Sequence, residues 1–256
     1  MMLEVKNLSF SYDGNHAVFH DVNFTVNKGE ILSILGANGA GKSTLLNCIA
    51  NLTRPQSGEI ILNGQPMAKM SLRDVAFIVG YVPQVHTPAY AFSVREFTVM
   101  GRTPYIGSFA SPSTKDYAIA EKALERMRIM HLCHKAYTEI SGGERQQVTI
   151  ARIIAQQSQL ILMDEPTAHL DFGNQYRVVH MIRELAAEGY TIVITTHNPE
   201  HAIILGGKAA ILDHRGQLHV GLAKDTLSAQ TLSELYGIKI KTIYDQDAKR
   251  NVCVVF

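Results

Sequence analysis

The chain has 256 residues, 46% of them hydrophobic, with 24 Lys and Arg against 23 Asp and Glu for a net charge of +1. That is enough apolar material for one large core with an attached lobe. The balanced charge excludes a basic coat that would hold nucleic acid through its phosphates. No apolar run nears the ~20 residues that cross a bilayer. Glu4 and Lys6 stand where a signal peptide would be apolar, so the expected location is the cytosol. Cys48, Cys133 and Cys253 are widely spaced; they match no metal-ligand or disulfide framework and read as reduced thiols.

In chain order, residues 3–10 and 17–26 are β-rich, with a turn at Tyr12-Asp13-Gly14-Asn15 between them. Residues 30–35 form a short buried strand that runs into a glycine loop, and 43–52 suit a helix. Residues 58–62 read as a strand closed by Asn63-Gly64, and 77–82 as another stopped by Pro83. The pattern then turns helical at 93–100, 115–130 and 144–156. It returns to strand at 160–163, helix at 175–187 and strand at 191–195. A hairpin at 209–212 and 218–221 follows, and 239–244 and 252–256 are candidate tail strands. Strands alternating with crossover helices imply an α/β core with a mainly parallel sheet.

Gly36-Ala37-Asn38-Gly39-Ala40-Gly41-Lys42-Ser43 fits G-x-x-x-x-G-K-[ST] in full, and Thr44 follows. Glycines allow successive N–H groups to turn towards phosphate oxygens, and the helix start adds its positive end. Lys42 supplies a point charge to the phosphates, and the Ser43 hydroxyl can ligate Mg²⁺. The second anchor is the apolar run 160–163 ending in Asp164 and Glu165. Carboxylates at that strand end sit at the edge of the sheet where ligands of open α/β sheets bind. Asp164 suits Mg²⁺, through water, and Glu165 suits the general base for an attacking water.

Ile140-Ser141-Gly142-Gly143-Glu144 precedes the 144–156 helix. Read locally it is a helix cap. In its place between the phosphate loop and the carboxylates it resembles the signature of the ATP-binding cassette ATPases, and the order of parts resembles that family as far as about residue 221. The resemblance implies an α/β P-loop core with an N-terminal antiparallel β subdomain and an inserted α-helical subdomain. Residues 1–225 would form one cassette, with core segments 1–86 and 157–225 and helical subdomain about 87–156; 226–256 would be a short tail.

It further implies ATP and Mg²⁺ as ligands. Tyr12 would stack on adenine. Gly36, Asn38, Gly39, Gly41, Lys42, Ser43 and Thr44 would hold the phosphates, with Ser43, Gln84 and Asp164 at the metal. Glu165 would be the base, Gln84 would contact metal and water, and His197 would act as the switch histidine that orients the base. Ser141, Gly142, Gly143 and Asp171 would act across a head-to-tail pair of copies. A signature that caps a helix in the inserted lobe does not reach its own phosphate loop, so ATP would be clasped between two chains and hydrolysis would release them. Ile140, Glu144 and Asn198 depart mildly from the family pattern.

The expected partners are a second copy, transmembrane permease subunits docking near 86–97 and, indirectly, a substrate-binding protein. The run Val94-Arg95-Glu96-Phe97 followed by Met100-Gly101-Arg102-Thr103-Pro104-Tyr105 is similar to a pattern of the metal-chelate importer ATPases. It implies uptake of an iron–siderophore, haem, cobalamin or related compound, with metal ions or oxyanions such as molybdate as further cargoes. The alternatives are an exporter subunit and a non-transport cassette ATPase. Residues 85–140 are too few for the coiled-coil arms of chromosome-type members in addition to the lobe.

Overall fold

The computed structural model describes residues 1–84, 90–107 and 109–256. The chain opens with β1 (Leu3–Ser11) and β2 (Ala17–Val26), paired antiparallel from Leu3 opposite Val26. β3 (Ile31–Leu35) is wholly buried and leads through the glycine loop to α1 (Lys42–Ile49). β4 (Ser57–Leu62) and β5 (Gln65–Pro66) return to β1, giving a four-stranded antiparallel sheet in the order β2-β1-β4-β5. Next come α2 (Leu72–Ile78) and β6 (Val79–Val82). The strand expected over 77–82 is therefore shorter, because Phe77 and Ile78 finish a helix. Ser71 and Asp74 start that helix with a reciprocal capping box, a local signal that outweighs the β-branched run.

α3 (Val94–Val99), α4 (Thr114–Arg126) and α5 (Gly142–Gln156) build the helical region. α4 ends earlier than the apolar spacing over 115–130 suggests. Met127 and Ile129 are buried, but Arg128 takes a left-handed backbone (φ 58°) that breaks the helix. β7 (Leu160–Met163), α6 (Phe172–Ala187), β8 (Thr191–Thr196), α7 (Pro199–Leu205), β9 (Lys208–Leu212) and β10 (Leu218–Leu222) complete the core. α8 (Ala223–Thr226), α9 (Ala229–Tyr236) and the hairpin β11 (Ile240–Asp245) with β12 (Arg250–Val255) end the chain.

The second sheet has the order β10-β9-β3-β8-β7-β6, parallel except for β10 at one edge. Alternate residues of β7 enter opposite layers. Leu160 and Leu162 pack with α1 and the antiparallel sheet, Ile161 and Met163 with α5 and α6. Burial on both faces explains why β7 is apolar throughout and β3 and β8 largely so. It also sends the chain out at one edge, so the residues after β3, β6, β7 and β8 converge there. This is the expected α/β P-loop fold with an N-terminal antiparallel sheet and an inserted helical subdomain.

In the helical region Phe97 and Tyr137 stack at 4.1 Å, and the Arg152 guanidinium lies over the Phe97 ring. Phe97 is thus a core residue, while Tyr90 and Phe92 are exposed. A side chain at Gly101 would place its Cβ 2.1 Å from the Arg152 carbonyl, so only glycine lets this turn lie against α5. The neighbouring Arg102 guanidinium is buried. It donates to Asp116 at 3.2 Å, to the Ala155 carbonyl at 2.9 Å and to Gln157 at 2.8 Å. The Gly-Arg pair thereby ties the turn to the ends of α4 and α5. The expected permease-docking segment near 86–97 includes residues 86–89, which lie outside the described residues.

Candidate active site

Gly41 caps α1 with φ 99°, and a Cβ there would meet Val18 Cγ1 at 2.5 Å; the loop needs glycine on both counts. Lys42 follows as the first helical residue, 5% exposed. Its ammonium donates to the carbonyls of Gly36 at 2.9 Å and Ala37 at 3.0 Å and lies 3.5 Å from a Glu165 oxygen. A buried ammonium requires such partners, and they aim it into the glycine loop.

The second half of the cleft grows from β7 and β8, which run side by side. Thr195, buried on β8, donates its hydroxyl to Asp164 Oδ1 at 2.6 Å. The same hydroxyl oxygen accepts the Glu165 backbone N–H at 2.9 Å. One threonine therefore fixes both acidic positions. Its sequence signal is a polar residue at the end of a fully buried strand, and reasoning from motif spacing passes over it. Burial and the negative charge of Asp164 raise the Tyr81 hydroxyl well above its usual pKa, so Tyr81 stays neutral beside the carboxylate.

Glu165 occupies the left-handed backbone region at φ 43°, which costs a non-glycine residue about 1–3 kcal/mol. Its carboxylate is the hub of the site. Besides Lys42 on Oε1, Oε2 lies 3.0 Å from His197 Nδ1 and accepts from Gln84 Nε2 at 3.4 Å. Lys42 comes from the loop after β3, Gln84 from the chain after β6 and His197 from the end of β8. A cleft of about 870 Å³ includes these three, Glu165, Tyr12 and Ser43 in its lining. Tyr12 is 76% exposed, with its hydroxyl 2.8 Å from Thr44 Oγ1 and its ring edge-on to Phe10.

Asn38, Gly39, Gly41 and Thr44 line the same cleft. Gly36 lies behind it, supplying a carbonyl to Lys42. Ser141, Gly142 and Gly143 lie elsewhere. Ser141 caps α5, accepting the Glu144 N–H at 3.3 Å while its own N–H donates to Glu144 Oε2 at 2.8 Å. Hydrogen bonds from the Ser141 hydroxyl and N–H to the Glu144 carboxylate hold it below its usual pKa. Ser141 and Gly143 line a separate opening of about 810 Å³ between α5 and α6. Asp171 caps α6 through the Asn174 N–H at 2.9 Å. Among the described residues no hydrogen bond or shared cleft joins Ser141 or Asp171 to the phosphate loop of the same chain.

A magnesium ion suits the donor set. The Ser43 hydroxyl lines the cleft and has no protein hydrogen-bond partner among the described residues. Asp164 and the Gln84 amide add further oxygens. These are too few to encage a hard cation and match one that completes its shell with water and phosphate. Among the described residues there is no cluster of three or more His, Cys, Asp or Glu with metal-binding geometry.

Two residues outside the motifs complete the surroundings of His197. His201 is buried on α7, with Nδ1 3.2 Å from Thr167 Oγ1 and Nε2 3.2 Å from Asn198 Nδ2. Burial, with His197 close by, holds its pKa below the ordinary histidine value. Tyr236, on α9, donates its hydroxyl to the His197 carbonyl at 2.7 Å.

The ABC transporter family profile matches residues 19–168. A second profile, for an AAA domain described as a putative AbiEii toxin of a type IV toxin–antitoxin system, matches the shorter stretch 136–201. An ABC transporter ATP-binding protein of Haemophilus influenzae is 39% identical, covering 92% of this chain and 89% of its own. The molybdate import ATP-binding protein MolC of the same organism is 36% identical, covering 96% and 91%. A hemin import ATP-binding protein of Thermobifida fusca is 33% identical over 95% and 84%. Among solved structures, an inward-facing transporter described as of the metal-chelate type superposes with a TM-score of 0.88 at 34% identity, covering 100% of this chain and 97% of that one. A dimeric bacterial ABC transporter cassette gives a TM-score of 0.74 at 26% identity, covering 87% and 99%.

Proposed function

The chain belongs to the ABC transporter family as an ATP-binding cassette ATPase, and on that premise we propose that it powers a binding-protein-dependent importer of a metal chelate or related metal compound, working at the cytoplasmic face of the membrane. The observation that supports the chemistry best is the convergence of Lys42, Gln84 and His197 on the Glu165 carboxylate beside the phosphate loop. The likeness to molybdate, hemin and metal-chelate transport proteins supports the cargo class. We assign residues 1–86 and 157–225 to the core, about 87–156 to the helical subdomain and 226–256 to the tail. Among the described residues no helix is long and apolar enough to cross a membrane; in this reading the path for the cargo belongs to permease subunits.

In this reading ATP is the substrate and the loop carrying Gly36, Asn38, Gly39 and Gly41 binds its phosphates, with Lys42 countering their charge and Thr44 beside it. Tyr12, at the mouth, offers its ring to the base. Glu165 takes the proton of the attacking water, and His197 and Gln84 hold its carboxylate in place. Thr195 keeps the 164–165 backbone still. Ser43, Gln84 and Asp164 would hold Mg²⁺, which when bound neutralises charge on the phosphate oxygens. Ser141, Gly142, Gly143 and Asp171 of a second copy complete the site, so ATP joins two chains and hydrolysis parts them.

The test is purification of the complex from its native membrane, with identification of the other subunits. ATP hydrolysis is then measured with the soluble recognition component loaded with ferric siderophore, haem or molybdate. The expected result is faster turnover with one of these ligands. A complex lacking any binding protein, stimulated instead by a compound on the cytoplasmic side, would contradict the importer reading and favour an exporter.

A further inference from the structure

The tail after residue 225 is absent from the catalytic scheme, yet its contacts lead to the switch position. Leu232 and Leu235 of α9 and Ile240 of β11 are buried with Leu35, Ala202, Ala209 and Ile211. These belong to the end of β3, to α7 and to β9, so the tail is docked on the core beside the phosphate loop. From that seat Tyr236 reaches the His197 carbonyl. The hairpin reaches the first turn of α7, where Glu200 accepts from the Arg250 guanidinium on one oxygen and from the Cys253 N–H on the other.

The His197 imidazole needs support from its own backbone. It is 56% exposed, and its one side-chain partner among the described residues is Glu165. The peptide joining His197 to Asn198 is held at both ends. Tyr236 donates to the carbonyl of 197, and the N–H of 198 donates to Thr196 Oγ1 at 3.0 Å. Two bonds at opposite ends of one peptide plane fix its rotation, and with it the direction in which the ring leaves the chain. Burial pushes the Tyr236 hydroxyl up to about 12, so it remains a proton donor through the neutral range.

We propose that the tail is a positioning element of the ATPase site: Tyr236 holds the His197 peptide so that the imidazole meets Glu165, and Glu200, gripped by β12, fixes the adjoining turn. The proposal rests on the reading of His197 and Glu165 as the groups that orient and take the water proton. Tyr236 touches neither nucleotide nor water in this account and acts through His197 alone.

The test is steady-state ATP hydrolysis by the full chain carrying Tyr236→Phe, measured with KM for ATP, fluorescent-nucleotide affinity and Tm, beside His197→Ala. Tyr236→Phe keeps the ring that packs on the core and removes only the donor. Its kcat should fall about fivefold, the worth of one ordinary hydrogen bond, while KM and affinity stay at wild-type values and Tm falls by no more than the ~2–4 °C that one such bond is worth in a chain of this size. Arg250→Ala should act in the same direction and less, because the Cys253 N–H still holds Glu200. A Tyr236→Phe kcat within twofold of wild type while His197→Ala is crippled would overturn the positioning role and leave the reading of the site standing. A loss shared between kcat and KM, or a fall in Tm well beyond the worth of that one bond, would also overturn it. A His197→Ala enzyme as fast as wild type would refute the reading of the site itself.

Discussion

The phosphate-loop cleft and the start of α5 are built by opposite means. In the cleft every charged group is held by another element. Lys42 is fixed by loop carbonyls and Glu165, Asp164 by Thr195 from the neighbouring strand, and Glu165 by residues following three different strands. At α5, Ser141 and Glu144 satisfy each other within one turn, and Ser141 is exposed. The first arrangement needs the whole sheet and works only once the core has formed. The second needs four residues and leaves Ser141 facing an opening to solvent. On our account the two are halves of one site that meet only when a second copy arrives.

Substitutions on the two sides should therefore fail in different ways. Ser141→Arg places a bulky cation where the partner's nucleotide would lie, so turnover should fall about 100-fold, the scale of losing a preorganised phosphate contact. Nucleotide affinity of the isolated chain should be unchanged, as read by fluorescent-ATP titration; a parallel loss of affinity would merge the two regions. Lys42→Ala should do the reverse, weakening binding itself by about 10–100-fold through loss of a charge-assisted contact. Wild-type affinity in that variant would show that the cleft is not where phosphate binds.

The smallest expected effect concerns acid stability. Burial lowers the His201 pKa in the folded chain below that of the unfolded chain, about 6.5. Its contribution to stability is complete above the unfolded value and is lost as pH falls below it, because the unfolded chain then binds the extra proton. His201→Gln should remove that part of the pH dependence, sparing about 2 °C of the Tm lost between pH 7 and 5.5. Parallel Tm–pH curves for the two proteins would contradict it.

Much of this plan was legible in the residues. The glycine loop announces itself because its glycines, lysine and serine stand at fixed spacing within eight residues, and the acidic pair follows because β7 is apolar to its last residue. The hairpin of β9 and β10 was legible for similar local reasons. α7 was missed although Asn198 caps it and Pro199 begins it, because its seven residues are too short for a periodic pattern. α9 was passed over in the same way, despite Ser228 at its start and Gly237 at its end. Thr195 and Tyr236 were illegible for a different cause. Their partners lie 30 to 39 residues away, and only the strand order and the docking of α9 bring them together. Tyr12 shows the limit of motif matching: its place at the cleft was foreseen, its bond to Thr44 was not.

The most direct measurement is the solution mass of a Glu165→Gln chain with and without ATP, by light scattering coupled to size exclusion. With the base removed and Lys42 intact, hydrolysis should stall with nucleotide bound, and ATP should convert a monomer into a dimer that ADP does not support. A Glu165→Gln protein that binds ATP with wild-type affinity, yet stays monomeric alone and leaves its two cassettes apart within the assembled transporter, would contradict the shared site.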